Sequence, residues 1–578
     1  SRFIFLWCLV AQRKGMVINV DNKKKNKLLR VMLPGIAVSF ALCFMLLVYA
    51  PFELYLTNRS SFWYTFSIMA QYTLAIFAAG MLLCVIAFFI AAKLGDRVMT
   101  AAVAAAVFVM LGAYIQGTFL VSGLPGMDGT EIDWSAYPAE RIKSVIAWVL
   151  SAAVTAVLLW KLGREKFRKI AGYAGAALGL MLVLSLGMLM FTTRTEKRET
   201  LAATDVNLMS FSAGENLIVV HLDAMDAGVF NEVLVQHPEY RDTFADFTYF
   251  DNAMSGYGHT KCSVPLILTG QWFIPDESGG GSSANADAFD EYLNTELESS
   301  PLFTALEEKS YRIGIYDSED FFLYKDIYDG RIDNMRDDIA VPSDAGRMVK
   351  SVFRMAMIKY APWDLKAAGY RLQSEMQRFR ASKNGGDYEF YSSSNSEFYD
   401  RLKEEDCITA DGADSFKYIV LDGAHVPFMY DKDMNTVENA TYEQQIEASM
   451  TIAGLYLKRL KEAGVYDNSA IVFLSDHGST LSDEDKREHT LLMIKGRGEE
   501  HEFAVNSAPI SFEDMSAAFV KLMDGSLSTD AFDWREGDAR ERRFFSYNWL
   551  TFTDFVEYIQ YGQAGEHETL RPTGRVYG

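Results

Sequence analysis

Asp476 and His477 stand side by side between the apolar run Ala470-Ile471-Val472-Phe473-Leu474, closed by Ser475, and Gly478. A buried β-run has no structural use for a carboxylate and an imidazole at its carboxyl end, whereas a divalent cation takes a hard oxygen and a neutral nitrogen there. Other segments carry matching groups. The run Leu217-Ile218-Val219-Val220-His221-Leu222 ends in Asp223, and Tyr418-Ile419-Val420-Leu421 runs into Asp422-Gly423-Ala424-His425-Val426-Pro427. Between them, Ser255-Gly256-Tyr257-Gly258-His259-Thr260 offers a hydroxyl among glycines, which let backbone approach a ligand closely. Thr260 is expected at the start of the following helix, where unsatisfied N–H groups favour an anion.

A threonine hydroxyl is a poor nucleophile near neutrality, so a cation on its oxygen is needed to stabilise the alkoxide. The expected ligands are Asp223, Thr260, Asp476 and His477, an oxygen-rich set with one nitrogen that suits zinc or manganese. Asp226, three residues on, competes with Asp223, and Asp422 leaves room for a second cation. His221 reads as a core histidine of its strand. Cys262 and Cys407 are the cysteines of this half, and their pairing stays open.

Elements that could position these groups follow from the pattern. Apolar strands alternate with helical stretches, as at helix 299–309 before strand 311–316 and helix 443–463 before strand 469–474. That alternation implies an α/β domain with a mostly parallel sheet, whose ligands gather at the strand carboxyl ends. Segments 276–288 and 391–397, rich in Ser, Gly and Asn, read as loops.

The first 200 residues differ from the rest. They carry 21 Lys+Arg against 10 Asp+Glu, while residues 201–578 carry 34 against 66. No nucleic-acid partner is expected of so acidic a second half. Apolar runs near 29–50, 66–92, 98–121, 144–160 and 170–191 approach the ~20 residues a membrane helix needs. The opening run 3–10 is too short to span and no small-residue cleavage site follows, so the first span is expected to be an uncleaved anchor. Basic residues cluster before span one (Lys23, Lys24, Lys25, Lys27, Arg30), between spans two and three (Lys93, Arg97) and between four and five (Lys161, Arg164, Lys166, Arg168, Lys169). By the positive-inside rule these segments are cytoplasmic, and five spans put everything after about residue 192 outside.

With these residues in hand, the chain resembles the alkaline phosphatase and sulfatase superfamily, in its five-span membrane branch of lipoteichoic acid synthases and lipid A phosphoethanolamine transferases. Thr260 with Ser263-Val264-Pro265 resembles the nucleophile segment of the phosphoethanolamine transferases, and the same frame ending in Thr269-Gly270 is similar to the sulfatase signature, with Thr260 in place of the modified cysteine. Ser475-Asp476-His477-Gly478 resembles the family's metal-binding pair, Asp223 its first carboxylate ligand, and His425-Val426-Pro427 its His-x-Pro element. His489, twelve residues after His477, resembles a phosphate-contacting histidine. Two features depart from the transferases: Asp223 stands where they have Glu, and the cysteines flanking their nucleophile segment are missing.

The resemblance implies a cytoplasmic segment 1–28, a five-helix transmembrane domain 29–191, a linker 192–215, an extracytoplasmic α/β sulfatase-like domain 216–550 and a tail 551–578. It implies transfer of phosphoglycerol or phosphoethanolamine from a membrane phospholipid to an envelope glycan or lipid, through an ester on Thr260, with His425 and His489 as catalytic histidines and one divalent cation. Sulfatases need a Cys or Ser oxidised to an aldehyde, and threonine would give a ketone, so phosphoryl chemistry is favoured. The alternatives are a hydrolase of phosphoric or sulfuric esters at the same site, and an inactive envelope scaffold.

Overall fold

The computed structural model describes residues 28–58, 62, 64–122, 124, 132, 134–193, 201–276, 281–318, 325–337, 340–369, 380–382 and 388–578. The basic cluster 23–27 and residues 194–200 of the expected linker lie outside the described residues. Two compact units form, one from residues 1–197 and 340–380, the other from 198–339 and 381–578. The chain therefore passes between units three times.

In the first unit, four helices are long and apolar enough to cross a membrane: α1 (Leu28–Thr57), α2 (Phe66–Leu94), α3 (Asp96–Phe119) and α4 (Pro138–Thr192). Runs 29–50, 66–92 and 98–121 fall on the first three. Runs 144–160 and 170–191 both fall on the 55-residue α4, which Gly163 interrupts with φ 72 and ψ 166, a conformation essentially reserved for glycine. Five apolar runs thus occupy four helices, the last broken at Gly163. Asp96, at the turn between α2 and α3, pairs with Arg168 (2.5 Å) and Arg164 (3.2 Å) just beyond Gly163, so that turn and that break share one end of the unit. Within α1 a π-helical turn, Met45–Tyr49, precedes Pro51, whose missing N–H disrupts the regular ladder.

Residues 340–380 also belong to this unit. The helix Ala345–Tyr360 packs Met348 and Val352 with Val48, Phe52 and Leu186, and Ala356 and Tyr360 with Met45, Ala113 and Leu182. Its Lys359 pairs with Glu53 at 2.7 Å, and the Tyr360 ring lies where a Cβ on Gly117 would meet it at 2.4 Å. Trp363 follows, its N–H donating to Ser144 Oγ (3.0 Å) and its ring edge-on to Trp134.

The second unit is built on β1 (Asn216–Leu222), β2 (Thr248–Phe250), β3 (Arg312–Tyr316), β4 (Ser415–Leu421), β5 (Ser469–Leu474), β6 (Leu492–Lys495) and β7 (Ala504–Asn506). They form one sheet in the order β7-β2-β6-β5-β1-β4-β3. Its centre, β3-β4-β1-β5, is parallel; β6 runs antiparallel to both β5 and β2. Helices cover the sheet, so β1, β4 and β5 are buried on both faces, which explains their unbroken apolar sequences. The helix expected at 443–463 is observed at Tyr442–Glu462, opened by a Thr441–Gln444 capping box.

Residues 551–578, read as a tail, contain strands. β9 (Thr553–Gln560) pairs antiparallel with β8 (Arg542–Asn548) and with β10 (Leu570–Tyr577). Cys262 and Cys407 are both unpaired thiols.

Candidate metal centre and nucleophile

Register brings the first carboxylates together. In the parallel pairing Leu474 lies opposite His221, and Leu421 opposite Leu222, so the segments carrying Asp223, Asp422 and Asp476 leave the sheet at the same edge. The loops are then tied to one another. Asp223 N–H donates to Leu421 O (3.1 Å), Ala424 N–H to Asp223 O (2.8 Å) and Met225 N–H to Ser475 Oγ (2.7 Å). Gly423 is required here: its φ is +54, and a Cβ would lie 2.4 Å from the Asp223 nitrogen. Gly478 is required by crowding, since a Cβ would sit 2.9 Å from His489 O and 3.0 Å from Asp226 Oδ2.

Asp476 is fully buried and His477 nearly so. His477 Nδ1 lies 2.8 Å from Gly478 O and donates to it, which leaves Nε2 with the lone pair. That nitrogen faces Asp476 Oδ2 at 3.6 Å and Asp223 Oδ1 at 3.8 Å. Burial pushes the His477 imidazole down to about 4, reinforced by the Arg487 charge and opposed by Asp476, so the ring is neutral at physiological pH. Burial alone would favour a protonated Asp476, but contacts with His477, His221 and Thr260 outweigh it and hold the carboxyl well below the usual carboxylate range.

Thr260 is the first residue of α5 (Thr260–Thr269), as its sequence context predicts, and its hydroxyl is among the groups that favour the ionised Asp476 carboxylate. The loop before it is clamped from two sides. Gly256 O accepts from Phe545 N–H (2.9 Å) and Gly258 N–H donates to Phe545 O (3.2 Å), so β8 pairs with the nucleophile loop. Arg487, nearly buried, donates to Gly258 O (3.3 Å) and lies 3.4 Å from His259 Nδ1. Cys262 is no competitor as nucleophile: it is 1% exposed, and burial pushes its thiol up to about 12.

The two remaining histidines differ in placement. His425 follows the Asp422-Gly423-Ala424 turn that is bonded to Asp223, and its Nδ1 donates to Val426 O at 2.8 Å. His489 is turned elsewhere: Nε2 lies 2.9 Å from Asp251 O, and the ring packs beneath Gly565. Asp226 caps the helix Ala227–Gln236 by accepting from Val229 N–H (3.0 Å), a structural use that leaves Asp223 as the nearer carboxylate to His477.

Two residues of this neighbourhood, His221, read from sequence as a core histidine, and Arg487, were given no site role there. His221 is fully buried, with Nε2 3.1 Å from Asp476 Oδ1 and Nδ1 3.3 Å from the Tyr418 hydroxyl. Its signal was present: it is the one ionisable side chain in an otherwise apolar β1. Arg487 had none, being one of 55 basic residues with no motif around it.

The residues fit a divalent cation. Asp476 Oδ2 is buried without a well-formed hydrogen bond, beside a histidine nitrogen that carries a lone pair, and ionised oxygen and neutral nitrogen tolerate this proximity when a cation lies between them. His221, Asp223 and Asp476 also bring ligand atoms within 4.8 Å of one another, so this group could hold a metal.

Among curated proteins none matches the chain. Among solved structures it is similar to Ps i-CgsB in complex with k-i-k-neocarrahexaose (14% identity, TM-score 0.38, 60% of this chain and 82% of that chain). It is similar also to the phosphonate monoester hydrolase SpPMH from Silicibacter pomeroyi (17%, 0.34, 62% and 88%) and the lipoteichoic acid synthase LtaP from Listeria monocytogenes (14%, 0.33, 64% and 91%). The family model described as Sulfatase matches residues 215–526, more than half of the 578 residues. On that match, spanning β1 through the helix Met515–Met523, the chain belongs to the sulfatase family.

Proposed function

We propose that the protein is a metal-dependent phosphotransferase that moves phosphoglycerol or phosphoethanolamine from a membrane phospholipid to an envelope glycan or lipid, through an ester on Thr260. The observation that carries this reading is Thr260 itself: a hydroxyl at a helix start, favouring the ionised form of buried Asp476, where a sulfatase would carry its oxidisable residue. When bound by Asp223, Thr260, Asp476 and His477, zinc or manganese would neutralise the cleft and acidify the hydroxyl.

The chain's own groups then act in two steps. The Thr260 hydroxyl gives its proton to solvent and its oxygen forms a bond to phosphorus as the bond from phosphorus to the diacylglycerol oxygen breaks. His425, with Nδ1–H held by Val426 O and Nε2 also protonated, gives the departing oxygen its Nε2 proton. An acceptor hydroxyl next attacks phosphorus and hands its proton to His425 Nε2 as Thr260 is released and takes a proton back from solvent. The N-terminal end of α5 favours the phosphoryl charge throughout. His489 holds the loop through Asp251 O, so any phosphate contact by it would require that bond to open.

A lipid donor accords with the first unit. The Gly163 break and the shared end of Asp96, Arg164 and Arg168 support reading α4 as two spans, five in all, with the basic turns cytoplasmic and the catalytic unit outside.

Hydrolysis of phosphoric or sulfuric esters is the second reading, favoured by the family match. Full-length protein in nanodiscs with labelled phosphatidylglycerol or phosphatidylethanolamine distinguishes them. Transfer requires a labelled adduct on Thr260, diacylglycerol release, and turnover that rises with an added glycan or lipid acceptor. Thr260→Ala should abolish the adduct while changing stability by less than ~1 kcal/mol, because a half-buried hydroxyl contributes little packing. Full turnover without an acceptor points to hydrolysis, and an adduct retained in Thr260→Ala rejects the nucleophile.

A further inference from the structure

We infer that the helix Ala345–Tyr360 lies in the membrane interface and that its basic stripe, Arg347, Lys350 and Arg354, holds the phosphates of anionic phospholipid headgroups. This goes beyond the proposed transfer reaction and rests on that reading only for the membrane placement of the first unit. The segment is an island of positive charge. Residues 340–380 carry eight Lys and Arg against three Asp and Glu, within a half of the chain that has 34 against 66.

Along the helix the charges are sorted by side. Arg347, Lys350 and Arg354 follow i, i+3, i+7 spacing and share one face, whereas buried Met348, Val352 and Ala356 recur every fourth residue on the opposite one. Lys350 is exposed and Arg354 half-buried, and among the described residues no ion pair engages either. The described carboxylates of the segment are committed elsewhere. Asp344 caps the helix by accepting from Arg347 N–H (2.9 Å) and lies 3.4 Å from Arg347 Nε, while Asp364 pairs with Arg141 at 2.7 Å.

The depth of the helix suits headgroups. Tyr360 packs on Gly117 of α3, whose other end is Asp96, where Arg164 and Arg168 converge. At 1.5 Å per residue those two positions stand about 32 Å apart, close to the ~30 Å of a bilayer's hydrocarbon. Trp363, 5.5 Å from Trp134 and 5.9 Å from Tyr137, adds the aromatic grouping usual at that level. From Met348 to Tyr360 the helix advances about 18 Å, while the α4 residues grouped with it shift only from Leu186 to Leu182, about 6 Å. It therefore lies across the bundle, as an interfacial helix does.

Native mass spectrometry of the full-length protein in detergent, offered equal phosphatidylserine and phosphatidylcholine, reads this contact without turnover. A Lys or Arg near an anionic surface shifts partition about fivefold, so the parent should prefer phosphatidylserine as its first bound lipid by about fivefold or more. The preference should vanish in Lys350→Gln/Arg354→Gln and survive in Lys350→Arg/Arg354→Lys, which keeps both charges. No preference in the parent overturns the inference. So does a preference that persists in the neutralised variant, or one lost equally in the variant that keeps its charges. Excess inorganic phosphate at constant ionic strength should leave the preference intact; displacement would assign the stripe to a soluble anion and overturn the lipid contact. A parent that stays in solution without detergent and binds neither lipid defeats the membrane reading as well, whereas equal binding of both lipids leaves that reading standing.

Discussion

Asp476 concentrates the chemistry of the site because, unlike the partly exposed Asp223, it is taken wholly out of water. It stays ionised through contacts that a neutral amide would not make. Asp476→Asn should therefore lower metal affinity by more than the ~10–100-fold that losing an outer-shell partner costs, and lower activity in parallel. Equilibrium dialysis against zinc and manganese checks this, and unchanged uptake would remove Asp476 from the ligand set. Asp476 and His477 were legible in the sequence because adjacency of two ligand types after an apolar run has few other uses. Thr260 was legible from its glycines and the helix they precede. His221 was hidden because a single histidine in a buried strand ordinarily satisfies itself within the core; only the position of Asp476 on the neighbouring strand exposes its nitrogen.

Among the elements, the parallel core was readable from apolar runs of strand length separated by helical stretches, and helix Tyr442–Glu462 differs by one residue at each end from its expected span. The antiparallel β6 and the sheet β8-β9-β10 were not. Pro572 and Gly574 interrupt β10, and most of its side chains are exposed, so no apolar alternation marks it. A tie between this sheet and the site loop has a pH dependence. The hydrogen bond that His567 Nδ1–H donates to buried Glu488 raises the imidazole above its ordinary 6.5, with burial opposing. Because the folded state holds this proton more tightly, the contribution is complete below pH 6.5 and is lost as pH rises through the raised value. Unfolding temperatures measured from pH 6 to pH 9 should fall more steeply in the parent than in His567→Gln; equal slopes would show that this contact adds no pH-dependent stability.

For the whole molecule, the apolar first unit was apparent from run length and from the spacing of basic residues, but the return of residues 340–380 to it was not. Helix Ala345–Tyr360 has the mixed polarity of any surface helix, and nothing local says what its apolar side meets. The Lys359–Glu53 pair that accompanies it is shielded, with side chains 31% and 21% exposed. We expect a double-mutant cycle of Lys359→Ala and Glu53→Ala in detergent to give a coupling of about 1 kcal/mol, above an open surface pair. Zero coupling would mean that the apolar packing alone seats this helix.

The threefold passage of the chain between its units bears on how the enzyme could be shed. A protease that nicks a single site between residues 193 and 201 severs one covalent strand and leaves the helix Ala345–Tyr360 still embedded among α1, α3 and α4. The nicked catalytic half should consequently partition with detergent micelles and stay out of the aqueous phase. Conversely, a secreted version begun at residue 201 would carry Met348, Val352, Tyr360 and Trp363 into water uncovered, and would clump unless that excursion were trimmed to a short bridge.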